Sequence, residues 1–386
     1  MALPETISEQ AGTPAQPETG GTLTIDLAAV EANWRTLVSQ AVPTECGAVI
    51  KANGYGLGIE PVAATLAKAG CKTFFVADVA EGRRVRSRVP GATIYVLNGC
   101  TPEGALAFVE FNLRPVINSM TELAEWDAFV AAHNWRGGAA LQVDTGMNRL
   151  GISAQEAEAL APRVQTENHG ITLLMSHLAC AETAEHPLTV NQIKLFREVR
   201  ALYQGVPASL ANSSGIYIGN TAHFDLARPG AALYGINPTP GRANPMRSVV
   251  ELSGRILQIR SVAQDETVGY GATWTAKRAS RIAVAALGYA DGLLRAASGH
   301  DGGSGAAAMV ARKSCPIVGR ISMDLACIDI TDLANGTVHR GDVATFIGEG
   351  ITVDDFAVAA GTIGYEVLTR LGSRCHLIYR SAGSDQ

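Results

Sequence analysis

AVIKANGYGLGIEP, residues 48–61, is a short apolar run that ends on a lysine, crosses a loop of three glycines and a tyrosine, and meets a helical pattern at Pro61. A strand, a loop and a helix make one β/α unit, and the same texture recurs along the chain. Candidate strands are CGAVI (46–50), TFFVAD (73–78), TIYVLN (93–98), RPVIN (114–118), AALQVD (139–144), TLLMSH (172–177), ASLANS (208–213) and FDLARPG (224–230). Between most of them lies a helical segment such as PVAATLAKAG or LTVNQIKLFREVRALY; after the seventh strand, SGIYIGNTAH leaves room for a turn or two. Eight apolar strands joined by helical crossovers within ~200 residues specify a (β/α)8 TIM-type barrel rather than an open doubly wound sheet. The G-x-G-x-x-G fingerprint of the open sheet is absent. Upstream, Asp26 is an N-cap for a first helix with Leu27, Val30, Trp34, Leu37 and Val38 at helical spacing.

A barrel places chemistry at the C-terminal ends of its strands. Those ends carry Lys51, Asp78, Asn98, Asn118, Asp144, His177, Asn212 with Ser213, and Arg228 with Gly230. Eight polar termini in register predict one polar mouth.

After YGINPTPGRANP the texture changes. Pro238, Pro240 and Pro245 mark a linker, and VVELSGRILQIRSV, SRIAVAALGY, AAMVA, DLACIDI, DVATFIG and CHLIYR read as strands around one late helix, VDDFAVAAGTIGYEVLTRLG. The expected division is a disordered tail over 1–21, a barrel over 22–244 and a β-rich domain over 245–386. GHDGGSGAAA has no following G-K-[ST] and reads as a turn, not a phosphate loop.

Composition removes several classes of function. The net charge of -5 over 386 residues implies no polyanion surface, so nucleic acid is not an expected partner. No apolar stretch reaches the ~18 residues of a membrane span, and the polar start has no basic and apolar leader, so the expected location is the cytoplasm. The seven cysteines are scattered, without C-x-x-C, and suggest reduced thiols rather than disulfides or a metal site.

A lysine after an apolar strand has an ordinary account: its stem lies on the barrel and its head reaches water. A desolvated lysine instead has a lowered pKa and is a nucleophile toward a carbonyl cofactor such as pyridoxal phosphate. Barrel loops after the seventh and eighth strands commonly hold phosphate. Here they are ANSSG and RPGAALYG, where Gly230 permits close backbone approach, Ser213 offers a hydroxyl or is a plain turn residue, and Arg228 shares the rim.

VIKANGYGLG, VDTGMNRLG, MSHLACAE, ANSSG, RPGAALYG, VGYGATWTA, GYADG, VGRISMDL and AGTIGYE resemble, in order, the motifs of the pyridoxal-phosphate-dependent alanine racemases, fold type III, over roughly residues 22 to 380. The resemblance implies roles by matched position. Lys51 is then the lysine that binds the cofactor covalently and serves as one acid/base, and Tyr270 the second, delivered from the other subunit of a homodimer with shared active sites. Tyr55, Ser213, Gly230, Ala231 and Tyr365 match positions around the phosphate, with Asn212 beside them. His177 matches a histidine against the pyridine ring, and Arg228 an arginine bonded to its nitrogen. Arg149 and the Met323 N–H match groups at the substrate carboxylate, while Glu182, Tyr289, Arg295 and Arg320 match the substrate entrance. Without the resemblance, Tyr270 reads as a turn aromatic, His177 as a core histidine, Arg149 as a surface pair, and the entrance set as an interface network.

The chemistry suits these residue types. Racemisation takes the α-proton from one face and returns one to the other, so two acid/base groups must flank a planar carbanion. An arginine cannot accept the ring-nitrogen proton, so the ring is a weaker electron sink and the carbanion is reprotonated at Cα with little transamination. One position departs from the family. Where many members carry a carbamylated lysine two residues before the aspartate of VDTGM, this chain has Gln142, and the expectation is that Gln142, or an anion such as chloride beside it, orients Arg149. The leading expectation is an isomerase acting on alanine for cell-wall precursors or catabolism. The alternatives are a broad-spectrum serine or lysine racemase, a related decarboxylase, and a non-enzymatic pyridoxal-phosphate-binding protein.

Overall fold

A computed structural model of the chain describes residues 19–165, 170–303, 305–372 and 374–381. Seven parallel strands follow one another in chain order: Ala48–Val49, Thr73–Val76, Thr93–Val96, Arg114–Ile117, Ala139–Gln142, Ile171–Met175 and Ala208–Ser209. The eighth, Leu226–Ala227, pairs in parallel with Glu45–Cys46, which leads into the first. On its other side the Asp225 N–H reaches the Ala208 carbonyl at 2.9 Å and the Arg228 N–H the Ala211 carbonyl at 2.8 Å, closing the ring. The barrel interior is filled by Phe75, Tyr95, Val116, Leu173, Met175 and Leu226, with Phe75 stacked on Tyr95 at 5.2 Å. Each such side chain contributes about 1.5–3 kcal/mol by leaving water.

The crossover helices start where side chains accept their free N–H groups. Asp26, Asp78 and Ser119 cap the helices Leu27–Ala41, Val79–Arg88 and Met120–His133. Ser153 and Glu156 form a reciprocal capping box for Ala154–Leu160. A cap of this kind is worth ~1 kcal/mol. After the seventh strand only two single-turn helices occur, Ser213–Ile216 and Asn220–His223, as the short link requires.

The second domain is an eight-stranded sheet built on the long strand Val250–Val262. Its antiparallel partners are Val343–Ile347, Ser280–Ala285 and Gly21–Asp26. The last of these differs from the expected division: residues 21–26 pair into the sheet of the β domain, and Gly21–Asp26 also pairs in parallel with His376–Arg380. Their alternation of Thr with Leu and Ile suits a strand, but their partners lie more than two hundred positions away, so local pattern does not say which domain they join. Gly21 is thus strand, not tail; the tail expected over residues 1–18 lies outside the described residues.

A second correction concerns the late helix. It is two helices, Val353–Ala359 and Gly364–Arg370, broken at Gly361, whose φ of +68° no helix interior allows. GHDGGSGAAA holds a turn closed between His300 and Gly303. Among the described residues no helix is long and apolar enough to cross a membrane.

Candidate active site

The C-terminal ends of the barrel strands open on a cavity of about 950 Å3. Lys51, Tyr55, Arg149, His177, Asn212, Ser213, Arg228, Gly230, Ala231 and Tyr365 all line it, as does Gln142. Of the eight polar strand ends, Lys51, Asn98, His177, Asn212 with Ser213, and Arg228 with Gly230 face it. The other three do not line it. Asp78 caps a helix, Asn118 donates to the Val116 carbonyl at 2.7 Å, and Asp144 accepts from the N–H groups of Gly146 and Met147 at 2.8 and 2.9 Å. A carboxylate or amide at a strand end is as suited to turn closure as to binding, which sequence pattern does not distinguish.

Lys51 opens an unusual turn. Ala52, Asn53, Gly54 and Tyr55 have φ of 55°, 56°, 63° and 55°, a single turn of left-handed helix. L-residues there cost roughly 1–2 kcal/mol each. The turn sets Lys51 and Tyr55 four residues apart on one side, so both reach the same cavity. Gly56 continues at φ +85° and lies against the helix that carries Tyr365; a Cβ there would stand 2.5 Å from the Leu368 carbonyl oxygen. The C-terminal strand ties down the same loop, with the Tyr379 hydroxyl donating to the Leu57 carbonyl at 3.0 Å.

Half-buried Lys51 has its pKa lowered by burial and by the Arg149 charge, with Glu81 opposing. The Ser213 hydroxyl oxygen accepts from the N–H groups of Gly230 at 3.0 Å and Ala232 at 3.2 Å. That leaves its hydrogen to donate into the cavity. Gly230 is needed because a Cβ there would stand 2.4 Å from the Tyr55 hydroxyl oxygen. Tyr55 stacks on Tyr234 at 4.6 Å and tilts against Tyr365 at 6.2 Å.

Arg228 is buried. Its guanidinium donates to the Ser176 carbonyl at 2.7 Å and to the Ser209 hydroxyl, and stands 5.7 Å above the Phe75 ring. Burial, with no carboxylate offsetting it, lowers its pKa to about 10. Burial and the positive charges of Arg228, Arg149 and Lys51 hold His177 down at about 3, so its ring is neutral. The Gln142 side-chain N–H donates to the carbonyl of Leu150, the residue after Arg149, at 3.0 Å.

The remaining expected residues lie elsewhere. Tyr270, Met323 and Tyr289 are 71%, 53% and 42% exposed on the β domain, and none lines the Lys51 cavity. Arg295 and Arg320 meet at a separate cavity of about 240 Å3. Glu182 is exposed near Tyr365, whose pKa is raised by burial and then by the Glu182 charge. Sequence reasoning missed Glu81, Ser176, Ser209 and Tyr234. Glu81 carries a faint signal, an acidic residue three positions after the Asp78 cap, but its partner lies in another β/α unit.

Residues 25–238 match the family model described as alanine racemase, N-terminal domain, and residues 249–379 the model described as alanine racemase, C-terminal domain. The chain is 49% identical to the alanine racemase of Methylobacterium sp. (strain 4-46) across 93% of this chain and 98% of that one. It is 51% identical to that of Methylobacterium nodulans across 92% and 95%. A solved structure, alanine racemase from Bartonella henselae with covalently bound pyridoxal phosphate, matches with a TM-score of 0.88 and 37% identity over 94% of this chain and 100% of that chain.

Proposed function

The chain belongs to the alanine racemase family, and we propose that it interconverts L- and D-alanine with pyridoxal 5'-phosphate, as a cytoplasmic homodimer with shared active sites. The observation that carries this reading is the convergence of Lys51, Tyr55, Ser213 and Arg228 on one cavity. The donor set fits the cofactor: a hydroxyl with a hydrogen to give at Ser213, a glycine cradle at Gly230, and a buried cation without a carboxylate at Arg228. When bound, pyridoxal phosphate withdraws electrons from the substrate α-carbon.

The chain's own residues do the rest. Lys51 would hold the cofactor covalently and, once the substrate amine has displaced it, its free amine would move a proton at the α-carbon on one face; its lowered pKa favours the neutral amine. Tyr270 of the partner subunit moves a proton on the opposite face. Tyr55, Ser213, Gly230, Ala231 and Tyr365 hold the phosphate, with Asn212 buttressing them by accepting the Gly215 N–H at 2.8 Å. Arg228 would donate to the ring nitrogen and leave it unprotonated, and neutral His177 would flank the ring without adding charge. Arg149 and the partner's Met323 N–H hold the substrate carboxylate. Glu182, Tyr289, Arg295 and Arg320 form the entrance. The homodimer is supported by the exposure of Tyr270 and Met323 outside the cavity they are to serve. A reducing location is supported by seven cysteines that are all free thiols.

A chiral assay of the purified protein with L-alanine, L-serine and L-lysine, alongside its absorbance spectrum, tests the reading. Fast conversion of alanine with a visible cofactor band is expected. Comparable turnover of all three would instead mark a broad-spectrum racemase, and carbon dioxide release a decarboxylase.

A further inference from the structure

The left-handed turn after Lys51 is held from outside its own β/α unit. Glu81, in the first turn of the helix Val79–Arg88, accepts the Asn53 N–H on one carboxylate oxygen and the Ala77 N–H on the other, both at 2.8 Å. The Asn53 side-chain oxygen is fixed in turn by the Arg84 guanidinium at 2.7 Å and the Ile59 N–H at 3.2 Å. Arg84 is itself clamped by Glu60 at 2.6 and 2.7 Å. Two of the four left-handed residues, Ala52 and Tyr55, have side chains that disfavour this conformation, while Asn53 and Gly54 tolerate it. An external acceptor that matches the Asn53 N–H only in this conformation therefore selects it over the relaxed alternatives.

The same device occurs once more in the barrel without a lysine beside it. Glu122, in the first turn of Met120–His133, accepts the Cys100 and Asn118 N–H groups, both at 2.6 Å. Both glutamates staple two neighbouring strand ends. Only the Glu81 staple grips the turn that aims Lys51 and Tyr55.

We propose that Glu81 is a positioning residue for Lys51, its carboxylate holding the left-handed turn that delivers the lysine amine and the Tyr55 hydroxyl to one cavity. The assignment rests on the reading of Lys51 as the cofactor lysine. It separates Glu81 from Glu122, which joins strand ends without reaching reacting groups.

The test uses the holoenzyme and four variants. Glu81→Ala is expected to lose roughly 100-fold in kcat, the scale of a small misplacement of a reacting group, with the alanine KM nearly unchanged. Its visible cofactor band should also bleach faster with hydroxylamine, because a misaimed amine competes poorly for the cofactor. Adding Ala52→Gly to Glu81→Ala should recover part of kcat, since glycine takes positive φ without help. Glu122→Ala should lower thermal stability yet keep kcat and bleaching rate near those of the unaltered enzyme. If Glu81→Ala does not fold, Glu81→Gln replaces it; one amide oxygen serves only one of the two N–H groups, and a smaller loss of the same kind is expected. Equal losses in Glu81→Ala and Glu122→Ala, or no recovery with Ala52→Gly, would overturn the assignment. Lys51→Ala, run in parallel, separates the two failures. A band that survives in Lys51→Ala removes the reading beneath the assignment, whereas a lost band with an unaffected Glu81→Ala removes the assignment alone.

Discussion

Gln142 and Leu150 are joined by a hydrogen bond of 3.0 Å from the glutamine side chain to the leucine carbonyl. Backbone contacts reinforce it: the Ile152 N–H donates to the Gln142 carbonyl at 2.9 Å, and the Asp144 N–H to the Ile152 carbonyl at 2.8 Å. Gln142 therefore acts on the loop that carries Arg149. Gln142→Ala is expected to raise the alanine KM several-fold with a smaller change in kcat, since the Leu150 carbonyl would lose its donor at about 0.5–1.5 kcal/mol. An unchanged KM would remove Gln142 from substrate binding.

On the proposed two-base reading, Lys51 and Tyr270 carry separable protons. Lys51→Ala should abolish the visible cofactor band. Tyr270→Phe should keep that band and suppress isotope exchange at the α-carbon for one enantiomer far more than for the other. Equal suppression for both would defeat the two-base scheme.

Ser213 is an acceptor for two buried N–H groups as well as a donor. Ser213→Ala leaves both without a partner, at about 1–3 kcal/mol. Cofactor affinity should fall by roughly ten- to 150-fold, from loss of the hydroxyl's hydrogen bond to a charged phosphate at about 1.5–3 kcal/mol. Equilibrium dialysis of the variant against pyridoxal phosphate measures it, and unaltered affinity would place the phosphate elsewhere.

His177, held at about 3 against an ordinary value of 6.5, stays neutral in the folded protein. Above 6.5 both folded and unfolded forms are neutral there, so its linkage cost is nil. As pH falls from about 6.5 toward 3 only the unfolded chain takes up the proton, and stability declines across that window. Labelled-histidine NMR should show the His177 ring unchanged between pH 5 and 8. A midpoint near 6.5 would mean that burial and the three nearby cations do not act as inferred.

Gly56 sits where the loop after Lys51 meets the Tyr365 helix. Gly56→Ala adds a Cβ 2.5 Å from a carbonyl oxygen at φ +85°, so the helix or the loop must shift. Thermal stability and cofactor affinity are expected to drop together; a native melting temperature would show that the loop has slack.

The barrel was legible because its evidence is local. Apolar runs of four or five residues, helical spacing and capping residues such as Asp26 and Ser153 act within one or two turns of chain, and the order of nine motifs named the residues around the cavity. The same locality hid two things. Gly21–Asp26 joins the β domain only because Val250–Val262 and His376–Arg380 flank it. Asp78, Asn118 and Asp144 look like Lys51 and Arg228 from the chain, yet they close turns instead of facing the cavity.

The residues 48–61 alone announce a strand that ends in an amine and a loop that needs glycine. They do not announce how that amine is aimed. Backbone propensity opposes a left-handed turn at Ala52 and Tyr55, and what outweighs it is a carboxylate at Glu81, 28 positions beyond Asn53, brought within 2.8 Å of the Asn53 N–H by the pairing of adjacent barrel strands. Propensity is a property of neighbours in sequence, whereas this contact exists only once the sheet has formed.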